Sequence, residues 1–188
     1  MLNPTGLMGT FGNSAHDMGN GLRERRKWLV DGLDSWGECY QGPGTSAAAS
    51  LIHLLAYIAL DVSLSDMHLV AGRSNNANDG NFAEENLKHW ANSEIAKSTM
   101  SHVRKMLDLC HHCINTDLVA DSSYEVAVCL FTGGIVCWAY AKLNPNAPRQ
   151  DCIDQVRKAS VALQEMGCWR MCSMFGRILN SFEIPKRA

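Results

Sequence analysis

Two histidines lie inside strongly apolar segments, where the presence of a titratable ring calls for an explanation. His53 interrupts a leucine- and alanine-rich run, and His102 lies in a later amphipathic one. An imidazole buried without a hydrogen bond costs about a few kcal/mol, but its pKa near neutrality lets it accept or donate a proton. Glu125 is a carboxylate that could complete such a pair. If the chain is an enzyme, His102, His53 and Glu125 are its candidate catalytic residues. The structural alternative is hydrogen-bonded core histidines, with Glu125 closing a capping box with Ser122.

Large aromatic side chains are the second chemical feature. Small-molecule pockets are mostly apolar and carry a few placed polar groups. Most of the aromatic residues are expected to lie in the core. If a ligand pocket exists, its predicted lining residues are Trp138, Tyr140, Tyr57, Trp90 and Trp169.

The tetrapeptide Cys110-His111-His112-Cys113 has the spacing with which two cysteines can bind zinc. A structural zinc site needs four ligands, and no second pair follows at a normal distance. Cys168 and Cys172 lie far downstream and are one helical turn apart. We therefore interpret the tetrapeptide as the C-terminal end of a helix, where histidines interact well with the helix dipole. No metal site is predicted.

No phosphate-binding, dinucleotide-binding, zinc-protease or serine-hydrolase motif occurs in the sequence. No cofactor is predicted. No histidine follows Cys113, so a Cys2His2 finger is excluded.

The amino-acid composition narrows the classes of protein to which the chain could belong. The chain has 188 residues, of which 46% are hydrophobic and 19% charged, with a net charge of −2. This excludes extensive disorder and a strongly basic nucleic-acid or membrane-surface protein. The N-terminus has neither a basic stretch nor a long apolar stretch, so we expect an intracellular protein with free cysteine thiols. A helix over Val126–Tyr140 would span about 22 Å, short of the roughly 30 Å of a bilayer core, and is predicted to be a buried core helix.

Hydrophobic periodicity predicts an all-α fold of about seven or eight helices in a single compact domain. We expect a Gly- and Asn-rich arm at 1–20, a helical domain at 21–183 and a tail at 184–188. The first helix, Leu22–Cys39, places four apolar residues on one face, namely Leu22, Leu29, Leu33 and Trp36. It carries basic residues in its first turns, against a single Glu24. The later predicted helices are Ser46–Leu60, a short one from Ser63 to Gly72, Asn81–Ala91, Glu94–Ile114, 123–143, one capped by Asp151, and Cys168–Phe182. The polar stretch Arg73–Gly80 is predicted to be a loop.

Several of these segments resemble the helical regulatory region of fungal-specific transcription factors. In the run from Ser50 to Gly72, the matching positions are His53, Leu60, Val62, Leu64, Asp66, Ala71 and Gly72. A later block matches at His102, Glu125, Trp138, Ala139 and Tyr140. Leu22–Trp36 resembles the family's entry helix. The final helix matches at Gly167, Trp169 and Arg177. The resemblance covers roughly residues 22–182 and is greatest to the Cys2His2 zinc-finger branch. Tyr57 and Asp61 replace histidines of the family pattern, and the DNA-binding finger is absent.

The resemblance implies a nuclear regulatory or effector-binding domain. It would control transcription of a metabolic or secondary-metabolite pathway through a protein partner or a bound hydrophobic small molecule, without direct contact to nucleic acid or membrane. The alternative is a standalone, cofactor-free cytoplasmic enzyme of fungal secondary metabolism. It would be a cyclase, isomerase or dehydratase acting on a hydrophobic substrate in a helical pocket. A third hypothesis is a pure interaction protein, which would need an exposed apolar patch. A homodimer is compatible with all three.

Overall fold

The structure is a computed structural model that describes residues 14–40, 42, 44–73, 77–116, 123–166 and 170–182. Within these ranges it has eight α-helices and no strand, which confirms the predicted all-α class. The helices are α1 Ser14–Tyr40, α2 Ala47–Asp61, α3 Leu64–His68, α4 Ala77–Ala91, α5 Glu94–Asn115, α6 Ser123–Leu143, α7 Arg149–Glu165 and α8 Arg170–Asn180. A wider helical turn, Leu69–Arg73, continues α3.

The chain divides into two compact units, residues 1–39 and 40–188. The first contains all of α1 except its last residue, and the second contains α2 to α8. The predicted outer boundaries at residues 20 and 183 stay predictions. Because α1 begins at Ser14, however, residues 14–20 are helical, and their placement in a loop was wrong.

Helix α6 lies at the centre of the second unit and packs against α2, α3, α4, α5, α7 and α8. It is apolar on every side, as a helix surrounded by others must be. Its two central glycines allow this packing. A Cβ atom on Gly133 would lie 2.7 Å from Leu107 Cδ2 of α5, and one on Gly134 would lie 2.7 Å from Leu179 Cδ1 of α8. Helices α5 and α8 therefore contact α6 closely at two adjacent residues, from different directions.

Serine residues explain where three of the helices, α2, α3 and α5, begin. Ser46, Ser63 and Ser93 each accept a hydrogen bond from the backbone N–H three residues later, at 3.2, 3.2 and 3.3 Å. These bonds satisfy N–H groups that have no partner within the helix. The cap predicted at Ser63 is confirmed, whereas Ser122 lies outside the described residues.

Two further predicted helix starts were wrong. Helix α7 begins at Arg149, directly after Pro148, so Asp151 is not its cap. Proline suits the start of a helix because its missing N–H would have no helical partner there. Asp151 lies in the first turn and accepts a 2.8 Å hydrogen bond from Arg104, which ties α5 to α7. Helix α4 begins at Ala77, so residues 77–80 are helical rather than part of the predicted loop.

One helix of the described chain, Tyr124–Leu143, is long and apolar enough to cross a membrane by length and composition alone. A second such segment exists only if the sharply bent pair Ala47–Asp61 and Leu64–Gly72 is counted as one span. Of the apolar window in Tyr124–Leu143, 83% is buried against other helices. A core helix of a folded domain passes the same test of length and composition.

Candidate functional site

Helices α2 and α5 pack against each other and carry a row of polar and aromatic side chains in their contact. On α2 the row consists of His53, Tyr57 and Asp61, which are spaced four residues apart and therefore share one face. On α5 it consists of Thr99 and His102. Asp61 meets Thr99 and Tyr57 meets His102, so the two helices run antiparallel. We call these five residues the α2–α5 polar cluster.

Tyr57 lies between the two histidines. Its ring stacks on that of His102, with 4.7 Å between centroids and 18° between planes. His53 meets the same phenol ring edge-on, with centroids 5.0 Å apart and an interplanar angle of 72°. His53 is buried, at 8% exposure, whereas Tyr57 and His102 are half-buried.

At the other end of the α2–α5 polar cluster, Thr99 forms a hydrogen bond with Asp61. The Thr99 hydroxyl is fully buried and lies 3.2 Å from Asp61 Oδ2 and 2.9 Å from the Ile95 carbonyl. It donates its one proton towards these two oxygens. Asp61 is the last residue of α2, where the helix dipole disfavours a negative charge. The hydroxyl offsets part of that cost and fixes the relative height of the two helices.

Glu125 lies in the first turn of α6 and is half-buried. A carboxylate at this position interacts favourably with the N-terminal end of the helix dipole. No contact within the described chain links Glu125 to His53 or His102. Of the three candidate catalytic residues, the structure therefore brings the two histidines together, through Tyr57, and leaves the carboxylate out of the cluster.

The predicted pocket residues of α4 and α6 form packed aromatic pairs. Trp90 and Tyr140 meet with centroids 6.1 Å apart, and Trp138 stacks on Phe182 at 4.4 Å. The Lys142 ammonium lies 5.0 Å from the centre of the Trp138 ring. Trp138 and Tyr140 are two residues apart on one helix, so they point to different sides of α6. Both are buried, as is Trp90, while Trp169 lies outside the described residues.

The tetrapeptide 110–113 is helical and lies in the C-terminal turns of α5, as predicted. Cys110 and Cys113 are buried. The neighbouring Cys129 thiol, together with burial, raises the pKa of Cys110 far above its ordinary value. Burial lowers the pKa of His111, and the nearby positive charge of Lys158 lowers it further. No group of three metal-binding side chains occurs among the residues that the structure describes.

Sequence reasoning missed Asp61 and Thr99. Asp61 was noted only as a departure from the family pattern, and Thr99 was not noted at all. A usable signal was present in the spacing of His53, Tyr57 and Asp61, which predicts three polar groups on one face of an otherwise apolar helix. The partner on α5 had no comparable signal, because a lone threonine is common in helices.

The fold and the cluster define an all-α protein with a histidine- and tyrosine-containing contact between two helices. Comparison of the chain with known protein families, with curated protein sequences and with solved structures gives no match.

Proposed function

We propose that the chain is a helical regulatory domain of the kind found in fungal-specific transcription factors. It would act through a bound hydrophobic ligand or a protein partner, and the α2–α5 helix pair would respond to that partner. The observation that carries the proposal is the contact of both His53 and His102 with the Tyr57 ring. Both histidines belong to the segments that resemble the family.

The location of those segments supports the same proposal. The run from Ser50 to Gly72 forms α2, α3 and the turn that follows, and the later block forms parts of α5 and α6. Helix α2 packs against both α5 and α6. Polar and titratable groups in such a contact make it sensitive to a ligand, because each must keep its partners when the helices move.

The geometry favours a regulatory role over catalysis. An acid–base enzyme needs its groups within hydrogen-bond reach of one reacting centre, and Glu125 is not linked to the histidines. Three of the aromatic residues predicted to line a pocket, Trp90, Trp138 and Tyr140, pair with one another or with Phe182. A standalone enzyme is the second candidate. It is favoured by one observation, the contact of two imidazoles with a single phenol.

The experiment that separates the two is a His102→Ala allele in the source organism, followed by transcript and metabolite profiling. A regulator predicts coordinated changes in the transcripts of a gene set. An enzyme predicts unchanged transcripts, loss of one metabolite and accumulation of its precursor. The matched control is His89→Ala, since His89 is an exposed histidine of α4. If His102→Ala changes no transcripts relative to this control, the regulatory proposal is refuted.

Loss of folding would imitate loss of function, so the purified variant must be compared with the wild type by circular dichroism. A second variant, Tyr57→Leu, keeps the apolar volume of the contact while removing the ring between the histidines. Regulation predicts the same transcript changes for Tyr57→Leu and His102→Ala. If folded Tyr57→Leu leaves the transcripts at wild-type levels, the cluster is not the responsive element.

A further inference from the structure

Helices α5 and α7 pack against each other and run in the same direction. Helix α5 is antiparallel to α6, because Leu107 lies against Gly133, whereas Cys110, three residues later, lies 3.8 Å from the carbonyl oxygen of Val126. Helix α7 follows α6 after the short break at 144–148 and packs against it, so these two helices are antiparallel as well. Two antiparallel relations leave α5 and α7 parallel.

Two pairs of polar side chains follow each other along the α5–α7 contact. Arg104 donates a 2.8 Å hydrogen bond to Asp151. Seven residues later in each helix, which is two turns on and the same face, lie His111 and Lys158. Lys158 is near enough for its charge to lower the pKa of His111. The first pair is attractive, whereas the second becomes a pair of like charges once His111 gains a proton.

The imidazole of His111 lies where an added proton is poorly accommodated. The ring is half-buried, and its Nε2 atom is buried without a hydrogen-bond partner among the residues that the structure describes. A proton on this nitrogen would create a cation reached by neither water nor an acceptor. Asp108 of α5 favours the charged form, but burial and Lys158 outweigh it and lower the pKa. Within the described ranges α2, α4 and α6 also pack against α5, and none of their charged groups acts on His111.

We propose that the α5–α7 contact is a pH-sensitive switch, held by Arg104 and Asp151 at one end and weakened by a proton on His111 at the other. The unfolded chain accepts this proton more readily than the folded one. The free energy of unfolding therefore decreases as the pH falls below 6.5, the ordinary pKa of histidine, and levels off below the lowered pKa. Because α7 covers part of α6, acidification would loosen that cover.

The switch does not depend on what the domain regulates. The tests below measure stability and amide exchange, so their failure is distinct from failure of the proposed function.

The first test is urea unfolding of the full chain at pH 7.5 and pH 5.0. We expect acidification to raise the equilibrium constant for unfolding at least about threefold more in the wild type than in His111→Gln, which cannot take up the proton. His112→Gln is the matched control, because His112 is the exposed neighbour of His111, and it should behave as the wild type. Equal pH dependence of His111→Gln and the wild type would overturn the proposal.

The second test changes the facing charge and leaves His111 in place. In Lys158→Glu a protonated His111 would face a carboxylate, so the excess rise seen for the wild type should shrink at least about twofold. Both Lys158 and its neighbour Arg157 are exposed, and Arg157→Glu makes a matched change of charge one position away. Arg157→Glu should keep the wild-type response. If the two variants respond equally to pH, Lys158 is not the group that acts on His111.

The third test locates the change by hydrogen–deuterium exchange, corrected for the intrinsic exchange rate at each pH. In the wild type, amides of α7 around Lys158 should exchange at least about threefold faster at pH 5.0 than at pH 7.5. Amides of α4, whose neighbours are α3, α5 and α6, should change less. The increase in α7 should be absent from His111→Gln. An unchanged α7, or an equal change in every helix, would refute a switch in the α5–α7 contact.

Discussion

The close crossing of α7 and α8 gives the sharpest stability prediction. Ser160 of α7 donates a 2.8 Å hydrogen bond to the carbonyl of Gly176 in α8. A Cβ atom on Gly176 would lie 2.9 Å from Gln164 Cγ and 3.0 Å from the Ser160 carbonyl oxygen. The glutamine side chain can move aside, but the carbonyl belongs to the backbone of α7. Gly176→Ala therefore requires the two helices to separate by a few tenths of an ångström.

The magnitude follows from three opposing contributions. Overpacking a tight contact costs about 1–3 kcal/mol. Stretching or losing the Ser160 hydrogen bond costs about 1 kcal/mol. Alanine is favoured over glycine inside a helix by about 1 kcal/mol. We therefore expect Gly176→Ala to lower the free energy of unfolding by about 1–3 kcal/mol, which corresponds to a fall in Tm of roughly 4–8 °C for an intermediate value of 2 kcal/mol.

The assay is urea unfolding followed by circular dichroism, with Gly80→Ala as the control. Gly80 lies in α4, and a Cβ atom there would meet nothing within 4 Å. The same substitution should raise the free energy of unfolding by about 0.5–1 kcal/mol at that position. The two variants thus differ in sign. A Gly176→Ala protein as stable as the wild type would show that α7 and α8 do not cross as closely as described.

Three other predictions concern the α2–α5 polar cluster, the Cys39 thiol and the ion pair between Glu84 and Lys88. Thr99→Val should lower the free energy of unfolding by about 1–2 kcal/mol in denaturant titrations, because it removes the buried hydroxyl that faces Asp61. Cys39 is exposed, so Cys39→Ser should remove one fast-reacting thiol from a timed titration with Ellman's reagent; an unchanged count would contradict its exposure. The hydrogen bond from Lys88 lowers the pKa of Glu84 below its ordinary 4.5. The stabilisation is therefore present above pH 4.5 and is lost as the pH falls through the lowered pKa. Glu84→Gln should flatten that part of the curve of stability against pH; an unaltered curve would argue against the ion pair.

Local signals in the sequence were enough to predict most of the helices, and also the starts of α2, α3, α5 and α6. Serine caps and proline breaks act within one turn, so Ser63 and the 144–148 break were predictable. The α2–α5 polar cluster was only half predictable. His53 and His102 stand out because they interrupt apolar runs, but their meeting depends on the antiparallel packing of two helices distant in sequence. The role of Asp151 was missed for the same reason. Its partner, Arg104, belongs to another helix, and a helix cap is the only function that local sequence assigns to an aspartate there.

The position of α6 in the sequence affects how the chain folds during its synthesis. Helix α6 is apolar on every side, and the two helices that follow it in sequence, α7 and α8, are among those that cover it. During synthesis α6 leaves the ribosome before either of them, so its apolar surface meets solvent first. Of the covering helices, α2 to α5 are already available at that moment, whereas α7 and α8 can cover α6 only after their own residues have been made. We expect nascent chains that stop before α7 to bind chaperones or to aggregate, because α6 then lacks two of its covering helices.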